Sequence, residues 1–120
     1  MKIILIGPPG SGKSSVGKEL ANLMKLQHVD TDSLIETKMG KRISDIFLED
    51  GESKFREIER EVVLESLNLE NAIISLGGGS VLDSEVAKRL RNESNVIYLE
   101  VSISNAAPRV GFNTDRPLLV

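Results

Sequence analysis

Residues 3–17 read IILIGPPGSGKSSVG, an apolar run that breaks into glycine, proline and small polar residues before a lysine and two serines. The spacing Gly7-x-x-x-x-Gly12-Lys13-Ser14 is that of a Walker A loop, whose physical task is to wrap phosphates between a strand and a helix. Glycines let the backbone N–H groups of Gly10, Ser11, Gly12, Lys13, Ser14 and Ser15 turn inward. Lys13 adds charge, and the Ser14 hydroxyl can ligate Mg²⁺ at the helix N-terminus. With glycine at ~7% of residues, the four fixed positions arise by chance in well under about one per cent of chains of this length. A dinucleotide fingerprint fails at both glycine clusters, because G-x-G-x-x-G begun at Gly10 meets Ser15 and begun at Gly77 meets Leu82.

Around this loop the apolar spacing alternates between strand and helix. Residues 2–6 read as a strand buried on both faces, and 14–25 as a helix with Val16, Leu20, Leu23 and Met24 on one stripe. A second strand ends at Asp30, and Asp32 or Ser33 is expected to cap a helix that carries Leu34 and Ile35 and stops at Gly40. Ser44 opens a short helical turn through Phe47 and Leu48, and Phe55, Ile58, Val62, Val63 and Leu67 mark a long amphipathic helix over about 52–67. NAIISLGGG returns as a buried strand to Gly77, Asp83 caps a helix with Val86 and Leu90, and NVIYLEVS supplies a fourth strand over 95–101. The remainder, polar and with two prolines, reads as a mobile loop around a weak helical turn. Strands alternating with helices imply an α/β fold of three layers, a parallel sheet with helices on both sides, and ligands beyond the carboxyl ends of its strands. One domain over 1–120 is expected, with a core of 1–102 and a lid region of about 103–120.

Composition excludes several functions. Hydrophobic residues at 40% and charged residues at 28% describe a folding globular chain. A net charge of −3 and only three Phe and one Tyr offer neither a basic face nor a stacking platform for nucleic acid. With no Cys and one His, neither a Cys/His zinc site nor a thiol nucleophile can be built, and any metal must be held by oxygen, which favours Mg²⁺. Four apolar residues before Gly7 fall short of a secretory core, and no run approaches the ~20 apolar residues of a membrane span. A cytoplasmic enzyme or binding domain, acting as a monomer, is the expectation.

Three chemistry-bearing segments fall at the strand ends: the Walker loop, Asp30-Thr31-Asp32 and Gly77-Gly78-Gly79. VDTDS places Asp30 and Asp32 where a strand becomes a helix. A turn with an N-cap is one reading. The other makes Asp30 the acid that orients the shell of Mg²⁺ or accepts a proton from an attacking hydroxyl, and Asp32 an acceptor for substrate hydroxyls. Glu100 is the competing acid, on a strand interior. KFREIERE sets Arg56 and Glu59 one turn apart, an exposed ion pair by spacing alone. Phe47 and Phe55 nearby tip the reading toward bidentate capture of a planar carboxylate by Arg56. Gly77, Gly78 and Gly79 make either a flexible turn or a backbone floor on which a ligand lies. Arg109 and Arg116 are ordinary loop arginines or members of a segment that closes over a nucleotide. His28 reads as a packing residue.

Taken together, GPPGSGKSSVG, DTDSLIE, SDIF…DGESKFREIE, SLGGGS and NTDRPLL, in this order and at these distances, resemble the shikimate kinase family over essentially all 120 residues. The resemblance implies transfer of the γ-phosphate of ATP to a hydroxyl of shikimate, in the pathway to chorismate. By the same resemblance Lys13 and Ser14 serve ATP and Mg²⁺, Asp30 stands near metal and attacking hydroxyl, and Asp32 grips substrate hydroxyls. Arg56 clamps the carboxylate with Glu59 holding it, Phe47 and Phe55 wall the ring, Gly77 to Gly79 floor the pocket, Arg109 lies near adenine and Arg116 is the lid arginine. Pro108 departs from the family by interrupting a stretch that is helical there. The family also continues past the position of Val120 with a further arginine-bearing helix, a fifth strand, an adenine loop and a closing helix, so the chain is expected to be a fragment or to act without them. The fourth strand would then be an aggregation-prone edge. Alternatives within the enzyme class are gluconate kinase and a nucleoside monophosphate kinase, and outside it a non-catalytic ATP-binding module.

Overall fold

The computed structural model describes residues 1–100. The elements follow as β1 (Lys2–Ile6), α1 (Lys13–Met24), β2 (Gln27–Asp30), α2 (Thr31–Met39), α3 (Ile43–Asp50), α4 (Glu52–Ser66), β3 (Ala72–Ser75), a 3₁₀ turn (Ser80–Leu82), α5 (Ser84–Leu90) and β4 (Val96–Tyr98). The sheet is parallel in the order β2-β3-β1-β4. Ser75 at the end of β3 is in register with Leu5 of β1 on one side and Asp30 of β2 on the other. The three loops that leave these strands therefore emerge side by side, at the point where the order of strands reverses, which is where open α/β sheets bind ligands.

Strand residues alternate between two faces, and both are covered, which is why β1 and β3 read as continuous apolar runs. Ile4, Ala72 and Ile74 pack with Val63, Leu67 and Val86 on the side of α4 and α5, whereas Ile3, Leu5 and Ile73 meet Ala21 of α1 on the other. A separate cluster of Ile35, Ile46, Phe55, Ile58 and Val62 joins α2, α3 and α4 into an outlying lobe. The three-layer α/β architecture is as expected, and the apolar stripe of the long helix is buried residue for residue at Phe55, Ile58, Val62, Val63 and Leu67.

Several local expectations are corrected. In α1 the face that meets the sheet is Lys13, Gly17 and Ala21, while Val16 and Leu23 are exposed. Small residues win because they let the helix axis come close to β2 and β3. Asp30, not Asp32 or Ser33, is the N-cap of α2, its Oδ1 accepting from the Ser33 N–H at 3.2 Å. Asp32 sits in the first turn, where its charge favours the helix dipole. Ser44 lies inside α3, whose first free amide, that of Ile43, donates to the Glu36 carboxylate of α2 at 2.9 Å. The third strand stops at Ser75 rather than Gly77, and the fourth is confined to Val96–Tyr98. Glu100 therefore lies past a strand end and is exposed, not inside the sheet. Asp83 does cap α5, accepting from the amides of Glu85 and Val86. Val101 and the expected lid, with Pro108, Arg109 and Arg116, lie outside the described residues. Among the described residues no helix is long and apolar enough to cross a membrane.

Candidate active site

The loop between β1 and α1 turns on glycines in the left-handed region, Gly10 at φ 79° and Gly12 at φ 89°, where a side chain would be strained. Gly12 is the residue that caps α1, so the free amides of the first turn point into the cleft. Lys13 is 9% exposed. Its ammonium folds back over the loop, donating to the carbonyls of Gly7 at 2.8 Å and Pro8 at 2.9 Å. Burial holds the Lys13 pKa below its ordinary value, against the opposing pull of Asp32 and Asp30. A cleft of about 500 Å³ opens here, lined by Gly10, Gly12, Lys13, Ser14 and Ser15 from the loop, Asp30 and Asp32 from the second strand end, and Gly78 from the third.

Ser14 and Asp30 are in direct contact, the hydroxyl donating to Asp30 Oδ2. Capping α2 fixes the other carboxylate oxygen, so this acid is oriented by the helix it starts. The capping reading of Asp30 is therefore met, and its second oxygen is left facing Ser14. Asp32 is pushed above the usual carboxylate range by burial first, then by the negative neighbours Asp30 and Glu59.

The three glycines after β3 have a specific reason to lack side chains. A Cβ at Gly77 would run into the Asp32 carboxylate, one at Gly78 would lie 2.7 Å from the Pro9 ring, and one at Gly79 would lie 2.7 Å from a guanidinium nitrogen of Arg56. Bare backbone therefore lets an acid, the phosphate loop and an arginine lean on a single segment. The Arg56 guanidinium donates to Glu59 at 2.9 Å. Glu59 is buried and receives the Ser80 hydroxyl on its second oxygen at 3.1 Å, so the spacing that suggests an exposed ion pair holds a pair anchored at one end in the core. The guanidinium carbon lies 5.2 Å from the centre of the Phe55 ring, and Phe47 stacks on Phe55 at 4.7 Å between centroids. Phe55 is itself buried in the outlying lobe and Phe47 is partly exposed. Arg56, Glu59 and both phenylalanines stand outside the lining of the main cleft. Arg56 opens instead on a second depression of about 430 Å³, shared with Glu52 and Arg60, that has no lining residue in common with the cleft.

Three residues escaped sequence reasoning. Thr31, wholly buried, donates to the Ser75 carbonyl at 3.4 Å and accepts from the Gly77 amide at 3.1 Å, locking the second strand end to the glycine run. Ser75 donates to the carbonyl of Lys13 at 3.0 Å, and His28 meets Ser75 Oγ at 2.9 Å, so the histidine is a polar tie and not a packing residue. Burial lowers the His28 pKa, opposed by Asp30. None of these contacts has a local signal, since each joins residues far apart in the chain and in different elements.

A phosphate loop, a paired serine and carboxylate beside it, and a second carboxylate on the same rim define a P-loop α/β protein of the small-molecule kinase kind. Residues 9–120 match the family model for shikimate kinase. The chain is 48% identical over 118 residues to the shikimate kinase of Rhodococcus erythropolis, covering 98% of this chain and 69% of that protein. It is also 48% identical over 117 residues to that of Thermobifida fusca, covering 98% and 67%. Among solved structures, shikimate kinase from Acinetobacter baumannii in complex with shikimate superposes with a TM-score of 0.82 at 33% identity, over 91% of this chain and 61% of that one. The enzyme from Bacteroides thetaiotaomicron gives 0.83 at 28% identity, over 99% and 68%. The chain belongs to the shikimate kinase family, a family of phosphotransferases. It spans roughly three fifths to seven tenths of the length of these relatives.

Proposed function

We propose that this chain carries the phosphoryl-transfer centre of an ATP-dependent kinase whose acceptor is a hydroxyl of shikimate. The observation that carries the reading is the convergence, in one cleft, of the α1 N-terminus, Lys13, the Ser14–Asp30 pair and Asp32. The amides of residues 10–15 would hold the β and γ phosphates, and Lys13 would exchange the carbonyls of Gly7 and Pro8 for phosphate oxygens. Such a site works by positioning and charge neutralisation, since the transferring group spreads charge over its equatorial oxygens.

The donor set at Ser14 and Asp30 consists of hard oxygens, and among the described residues no group of three or more His, Cys, Asp or Glu could form a closed metal cage. One hydroxyl and one carboxylate suit Mg²⁺, which keeps most of its shell as water and phosphate oxygen. When bound there, Mg²⁺ supplies positive charge to the β and γ phosphates. Because capping α2 commits one oxygen of Asp30, we assign it to orienting that shell. Asp32, braced against Gly77, would accept hydrogen bonds from the acceptor's hydroxyls. Arg56, held by Glu59 and flanked by Phe55 and Phe47, would meet the carboxylate across the glycine run it rests on at Gly79, with Gly77, Gly78 and Gly79 as the floor between. By family resemblance, Arg109 would serve adenine and Arg116 the phosphates; both lie outside the described residues. Both substrates are small solutes, and we assign the activity to a cytoplasmic monomer.

The test is ADP release, in a coupled assay with Mg·ATP, across shikimate, gluconate and a nucleoside monophosphate. Shikimate alone is expected to support turnover. Preference for another acceptor, or ATP binding without ADP release on any of them, would overturn the proposal.

A further inference from the structure

His28 projects from β2 onto the end of β3, behind the cleft rather than in it. The Ser75 hydroxyl has one proton, and that proton points to the Lys13 carbonyl. The contact between His28 Nε2 and Ser75 Oγ, at 2.9 Å, therefore runs with the histidine N–H donating and the hydroxyl accepting. The result is a chain from His28 N–H through Ser75 O–H to the carbonyl of Lys13, each bond polarising the next. It spans two strands and ends on the first turn of α1.

Gly17 supplies an independent observation. It is buried on the same face of α1 as Lys13, one turn along, and a Cβ there would stand 2.5 Å from His28 Nε2 and 2.6 Å from Ser75 Oγ. The space above Gly17 is thus filled by the two polar groups themselves. Helix, serine and histidine are fitted to one another at the point where the helix begins to serve the phosphate loop. Lys13 is where this seat matters most, since its carbonyl faces the sheet while its own amide and those of its neighbours face the cleft.

We propose that His28 and Ser75 are positioning residues that fix the seat of α1 on β3 and thereby set the affinity of the loop for Mg·ATP, a reading that rests on the cleft being the nucleotide site. His28 stands outside the cleft lining, and Ser75, although it borders the cleft, has its one hydroxyl proton committed to the Lys13 carbonyl. Their effect passes through the Lys13 backbone, so it falls on nucleotide binding and leaves the acceptor's contacts with Asp32 and Arg56 alone.

Calorimetry with Mg·ATP and, separately, with shikimate tests this on the unaltered chain and on His28→Phe, His28→Gln, Ser75→Ala and the double variant His28→Phe/Ser75→Ala. Loss of one neutral hydrogen bond in the relay is expected to weaken Mg·ATP binding by about 2- to 10-fold, with shikimate binding unchanged. Gln keeps an N–H donor at similar reach and should restore most of the affinity that Phe loses. The double variant should be no weaker than Ser75→Ala, because both substitutions interrupt one path. Unchanged Mg·ATP affinity in Ser75→Ala, equal effects of Phe and Gln, or losses for both ligands in step with the melting temperature would each overturn the relay. Normal nucleotide affinity effects without turnover of shikimate would instead overturn the kinase reading and leave the relay standing. An unaltered chain that binds no Mg·ATP would overturn both.

Discussion

The two sides of the cleft are built in opposite ways. The proposed phosphate side is contiguous: residues 7–15 carry a loop that would work through backbone amides, turned by glycines at φ 79° and 89° and steadied by a lysine that bonds to carbonyls five and six residues before it. The proposed acceptor side is assembled: Asp32 comes to the cleft from the start of α2, while Arg56 and Glu59 of α4, outside the cleft lining, reach it only through Gly77 to Gly79 and Ser80 in the turn after β3. Backbone recognition needs only local conformation, so it survives in a short motif. Side-chain recognition of a particular small molecule needs several directions of approach, and only tertiary structure supplies them.

That contrast predicts different failures. Removing Lys13 by Lys13→Ala should cost on the order of 3 kcal/mol in kcat/KM, comparable to losing one preorganised donor to a developing anion. A coupled assay reads it, and near-normal turnover would take Lys13 out of the mechanism. On the other side, Gly77→Ala places a methyl group on the Asp32 carboxylate without any demand on φ, so the expected damage is displacement of that acid. We expect a cost of about 1–3 kcal/mol, seen as a raised KM for shikimate with KM for ATP unchanged. Equal effects on both substrates would mean that the two sides are not separable.

The smallest effect is in stability. Asp32 has its pKa raised by burial and by Asp30 and Glu59, so the folded chain keeps a proton that the unfolded chain releases near its ordinary value of 3.8. More protons bound in the folded state means that stability falls as pH rises from 3.8 through the raised value, then levels off. Asp32→Asn should remove that part of the slope and raise the urea midpoint at neutral pH, while weakening shikimate. Urea titrations across this range in chelator, on both proteins, measure the difference. A variant with an unchanged slope would show that the buried charge is tolerated without cost.

Much of the fold is legible because its determinants are local. The Walker spacing announces β1, the loop and α1. Phe55, Ile58, Val62, Val63 and Leu67 draw the buried stripe of α4, and Gly40 and Asp83 stop and start helices where their chemistry says they should. The misreadings also share a cause. The apolar stripe of α1 points outward at Val16 and Leu23, because close approach to the sheet rewards Gly17 and Ala21 over bulk. Periodicity measures hydrophobicity and is blind to distance.

From sequence alone the chain commits itself to a phosphate-binding loop between a buried strand and a helix, to the alternation that makes a parallel sheet, to acids and a glycine run at the strand ends, and to an arginine on the long helix. Tertiary structure decides what those residues mean to one another. It turns Asp30 into a cap that presents one oxygen to Ser14, Glu59 into a buried anchor for Arg56, and the glycines into places where other side chains rest. It also ties His28 through Ser75 to the start of α1. The reason is that backbone conformation is coded by neighbours in the chain, whereas a hydrogen bond between strands depends on register, and register is settled only when the whole sheet has packed.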